Sequence, residues 1–126
     1  MRSVCKIVLL VPFIAFLGFA SADEPSPPKS NVVMEKKLEY AQDILKALMN
    51  DDFDRLERDV KLMKVFTRLE GMYGAKQPGY REQLVKFQDS VTALSTSVAE
   101  KNHDTASQAY LNMVRSCIDC HKIIKQ

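Results

Sequence analysis

Cys117, Cys120 and His121 form a C-x-x-C-H group in the C-terminal segment SCIDCHKIIKQ. On a helix, positions i, i+3 and i+4 share one face, so two thiols and one imidazole would point the same way. That spacing is read as covalent attachment of c-type haem: each thiol adds to one vinyl group, and the imidazole binds the iron. Three other chemistries compete for the same residues. Structural zinc needs four ligands, and the remaining candidate, His103, lies about 27 Å away along the same helix at the helical rise. A thioredoxin-like dithiol expects a βαβ setting, which the flanking pattern does not provide. A disulfide between helical positions i and i+3 would be strained. Haem attachment is the reading that uses all three side chains.

The elements that position this group follow from hydropathy. No stretch alternates as a strand would, and four apolar stripes recur at helical spacing. The first is Met34, Leu38, Ala41, Leu45 and Leu48, opened by Ser30 or Asn31 as cap and ended at the Asn50-Asp51-Asp52 break. The second holds Leu56, Val60, Met63 and Thr67, with Leu62, Val65, Leu69 and Met72 beside it. Asp51 or Asp52 caps its start, and Gly74, Pro78 and Gly79 end it. The third is Tyr80, Leu84, Phe87, Val91, Leu94 and Val98. After a break at Lys101-Asn102-His103-Asp104, the fourth is Ala106, Tyr110, Met113, Cys117, Cys120 and Ile124.

Four amphipathic helices with short connections predict an all-α fold, an antiparallel up-down-up-down four-helix bundle. In that topology the last turn of helix four shares one end with the start of helix one, the end of helix two and the start of helix three. A haem held near the C-terminal end of helix four would sit among all four.

The flanks and the charge balance bound the setting. Arg2 and Lys6 precede the apolar run IVLLVPFIAFLGFA, and Ala20-Ser21-Ala22 is a small-x-small cleavage pattern, so residues 1–22 read as a secretory signal peptide. Cys5 would leave with it. Residues 23–30, DEPSPPKS, read as a Pro-rich tether, and residues 31–126 as the domain. No lipobox follows the apolar core, so no lasting membrane anchor is expected. Eighteen Lys and Arg stand against 16 Asp and Glu, and loss of Arg2 and Lys6 leaves the remainder formally neutral. Such a surface gives no footprint for nucleic acid. No nucleophile–base pair or paired carboxylates stand out, so no enzyme is expected. Glu35, Lys36, Lys37 and Glu39 read as the solvated face of helix one, the segment DDFDRLERD as a charged helix surface, and His103 as a surface residue at the haem-free end.

With C-x-x-C-H in the last helix of an exported bundle, residues 31–126 resemble the class II cytochromes c, which comprise cytochrome c′ and its low-spin relatives. The resemblance implies one covalent haem c with its iron, His121 as proximal ligand, and a bacterial, periplasmic location. It implies redox proteins as partners and admits a homodimer. Phe87 falls where the family has an aromatic in helix three, and Lys125 where it has a basic residue near the haem. The chain departs from many members in having no Trp; Tyr80 or Tyr73 stands in.

The distal side of the iron divides the family. Cytochrome c′ leaves it open and binds nitric oxide or carbon monoxide, whereas the low-spin members use a Met from the start of helix one and carry electrons. Met49 lies at the wrong end of its helix, Met63 lies mid-helix, and Met113 is about 12 Å from His121 on the same helix. Met34 stands at the right end of helix one and in phase with the low-spin members, with Met72 of helix two in reserve. The competing role for Met34 is core filler. The reading is therefore a one-electron carrier with His121 and Met34 on the iron; the alternative is a five-coordinate gas-binding protein.

Overall fold

A computed structural model of the chain describes residues 30–73 and 77–124. The expected leader, the tether up to residue 29, the side chain of Ile124 and Lys125 lie outside them. Among the described residues there are four helices and no strand: α1 (Ser30–Met49), α2 (Phe53–Tyr73), α3 (Tyr80–Ala99) and α4 (His103–Ile124). They form a four-helix bundle in which each helix packs on its neighbours in sequence and α1 closes the ring against α4.

The ends are set by local chemistry. Asp52 Oδ1 accepts the Arg55 N–H at 3.0 Å, satisfying a donor at the start of α2. Asn102 Oδ1 does the same for Thr105 N–H at 3.1 Å at the start of α4. Gly79 enters α3 with φ of 78°, a left-handed conformation that a side chain would strain.

The core runs along the bundle axis through Ile44, Leu56, Met63, Val91, Leu94 and Met113, all at most 1% exposed. The α3 stripe is buried at every expected position, from Tyr80 to Val98. The principal line of α2, Leu56 to Thr67, is buried too, but Val65 and Met72 beside it are exposed.

Helix α1 departs from expectation. Its buried residues are Val33, Lys37, Ile44, Ala47 and Leu48, whereas Leu38 and Leu45 are 62% and 45% exposed. The inward face is turned from the expected stripe by about one residue, roughly 100°. Lys37, expected in solvent, is buried, and so is Asp59 of α2. The Asp59 carboxylate is held by Arg55 Nε at 3.4 Å and Arg58 Nε at 3.1 Å, which is why it can leave the surface. Arg55 also reaches Asp43 of α1 at 2.7 Å, tying the first two helices together.

Two hydrogen bonds fix α1 against α4. Tyr110 Oη donates to the Ala41 carbonyl at 3.0 Å, and His103 Nε2 donates to that of Leu48 at 3.1 Å. The helices therefore run antiparallel, with steps of seven residues in opposite directions, and one further step of that length sets Met34 level with Cys117. This α1–α4 seam is the loosest in the bundle. The exposed side chains of Leu38, Leu45, Leu111 and Ile118 lie on these two helices.

Candidate haem-attachment site

Cys117 and Cys120 are both free thiols; Cys117 is partly buried and Cys120 is 9% exposed. They belong to α4's inward side, where Cys117 packs against the core that contains Tyr110 and Met113. His121, the next residue, is exposed. Met34 is half-buried near the start of α1, at the level of Cys117 across the seam. Met72 is 68% exposed on α2, and Met49 is 79% exposed at the opposite end of α1. Met63 and Met113 are both fully buried core residues.

The interior beside the thiols is polar, which hydropathy did not foretell. Lys37 Nζ of α1 pairs with Glu70 Oε2 of α2. Tyr80 of α3 donates its hydroxyl to Glu70 Oε1 at 2.6 Å. The Lys37 ammonium lies 3.8 Å from the centroid of the Phe87 ring, a cation–π contact. Lys37, Glu70 and Tyr80 are 9%, 5% and 6% exposed, so three helices converge on one buried carboxylate. Phe87 and, ahead of it on α3, Tyr80 are buried, while Tyr73 is half exposed at 50%.

The electrostatics of the thiols record the same surroundings. Burial is the main cause that pushes the Cys117 thiol above its ordinary range; Lys37 pulls it down, while Cys120 and Glu70 push it up. Cys120 is also raised, first by burial and then by Glu70, with Lys37 opposing. Both shifts favour the protonated thiol.

Among the described residues, no three His, Cys, Asp or Glu side chains are placed to hold a metal ion by themselves. The chemistry of the donor set fits a covalently held haem: two unpaired thiols one turn apart, an adjacent imidazole, and a thioether level with them on α1. A groove of about 630 Å³ runs along the outer side of α4 past Leu111, Val114, Arg115 and Ile118, and neither thiol lines it. No described helix is long and apolar enough to cross a membrane. Neither a family model nor a curated protein nor a solved structure matches the chain.

Proposed function

We propose that the protein is a c-type cytochrome of the bacterial periplasm, a one-electron carrier rather than an enzyme, exported through a cleaved leader. The observation that carries this reading is the pair of free, inward-set thiols, Cys117 and Cys120, with His121 beside them and Met34 level with them across the loosest seam. A haem held there supplies a single-electron couple at its iron. Cys117 and Cys120 would hold it through two thioethers, each thiol adding its S and H across one vinyl group. His121 would offer the iron a nitrogen ligand, and Met34 a sulfur ligand. Lys125 would add a positive charge near the attachment site.

Thioether ligation favours ferrous iron and raises the potential. Keeping both ligands in both oxidation states would limit rearrangement, as transfer between redox proteins requires. Soluble redox proteins are the partners on this reading; nucleic acid is not, and pairing of two copies is compatible with it.

Met34→Ala tests the distal assignment. The wild-type ferric protein is expected to be low-spin, with the weak red charge-transfer band of sulfur-to-iron bonding. Met34→Ala should lose that band, lower the reduction potential and bind carbon monoxide rapidly, whereas Met72→Ala should leave all three unchanged. Wild-type ferric iron that is already high-spin would instead establish the five-coordinate, gas-binding alternative and reduce Met34 to packing.

A further inference from the structure

We propose that Lys37 and Glu70 are a potential-setting charge pair for the haem held by Cys117 and Cys120, with Tyr80 moderating the carboxylate. The proposal rests on the haem reading and assigns a role to residues that the reading does not use.

The starting point is that stability does not explain the pair. A buried ion pair loses much of its attraction to desolvation, and hydrocarbon of the same shape would hold the helices about as well. Yet both carboxylate oxygens of Glu70 are engaged, Oε2 by Lys37 and Oε1 by Tyr80 Oη at 2.6 Å. The ammonium is further fixed over Phe87. No buried side-chain polar atom among the described residues lacks a partner, so the network is complete as built. It is high-cost polar chemistry, fully satisfied, at the end of the bundle that carries the attachment cysteines.

Its charges also reach α4. In the register fixed by Tyr110 on Ala41 and His103 on Leu48, Lys37 stands level with Val114, one turn from Cys117, and it brings its Glu70 partner to the same end of the bundle. A charge that acts on Cys117 and Cys120 acts on a group bonded to them, and burial preserves its field because little water intervenes. Reduction adds one negative charge to that group. The Lys37 ammonium favours the reduced form, and the Glu70 carboxylate favours the oxidised form. The Tyr80 hydroxyl, by donating to Glu70, weakens the carboxylate's share. The pair therefore holds two opposing contributions to the potential in one place, where a single substitution unbalances them.

Potentiometric titration of holoprotein variants tests this. Lys37→Met is expected to lower the potential and Glu70→Gln to raise it. The double variant should fall between the two singles, near the wild type. Tyr80→Phe, which keeps the ring, should lower the potential by strengthening the carboxylate's field. A structural role alone would instead move the single variants in the same direction through loosened packing, with the double variant furthest displaced. That result, or unchanged potentials, overturns the proposal. Should Lys37→Met fail to fold, the opposite signs of Glu70→Gln and Tyr80→Phe decide it. Haem content by mass, measured on every sample, separates the two levels: haem present with shifts of one sign defeats the charge pair alone, and haem absent from the wild type defeats the carrier reading and the pair with it.

Discussion

Replacing Cys117 and Cys120 together by Ser is expected to abolish covalent haem completely in a host that matures c-type cytochromes. Each single replacement should leave one thioether or a protein that accumulates poorly. The reason is chemical: a serine hydroxyl does not add to an unactivated vinyl group under the conditions in which a thiol does. His121→Ala makes the necessary contrast. It removes the ligating nitrogen and keeps both sulfurs, so haem should remain attached while the low-spin spectrum is lost. Mass spectrometry and absorption spectra of the three variants together assign holding to the cysteines and ligation to the histidine. Retention of covalent haem by the double-serine variant would place the attachment elsewhere in the chain.

Glu70→Ala should produce the largest loss of stability of any single change at this end of the bundle. It leaves the Lys37 ammonium, 9% exposed, without its counter-charge and removes the acceptor of the Tyr80 hydroxyl. Breaking a buried pair from one side costs about 3–5 kcal/mol. Exchange of both partners for hydrocarbon, Lys37→Met with Glu70→Leu, should cost much less, because no charge is stranded. Urea unfolding at pH 7 measures both, and a lower midpoint at unchanged slope would show that stability alone has moved. Equal losses in the single and double variants would mean that packing, not charge, holds these side chains in place.

Much of this arrangement was legible in the sequence, and its failures have a common cause. In α3 the apolar residues fall on a single line, Tyr80 to Val98, and the structure buries all of them. In α1 two lines compete. Met34, Leu38, Ala41, Leu45 and Leu48 form the more apolar one, but the buried line runs through Val33, Lys37 and Ile44. Hydropathy sends a lysine to the surface; what brings Lys37 inside is Glu70, 33 residues away on another helix. Asp59 misleads in the same way, since its burial depends on Arg55 and Arg58. Spacing along one helix shows which residues share a face. It does not show which charges will meet on the inside.

The site divides along the same line. Cys117, Cys120 and His121 stand together because they are neighbours on one helix, which the sequence already dictates. The level of Met34 opposite Cys117 depends on how α1 slides along α4, and that register becomes visible through Tyr110 to Ala41 and His103 to Leu48. Met34 stands at the start of helix one, on a line whose Leu38 and Leu45 are exposed beside the seam while Leu48 is buried in the core. A residue on the flank of a loose seam is well set to approach a group entering there, whereas Met63 and Met113 are already enclosed by core neighbours.

The central claim, that this chain carries covalent haem on its last helix, is tested most directly by the mass of the purified protein after denaturation and extraction with acidified organic solvent. The account predicts one haem, iron included, still bound to the polypeptide and recovered on a peptide containing Cys117 and Cys120. A polypeptide of unmodified mass with both thiols free, or haem that passes wholly into the solvent, would contradict it.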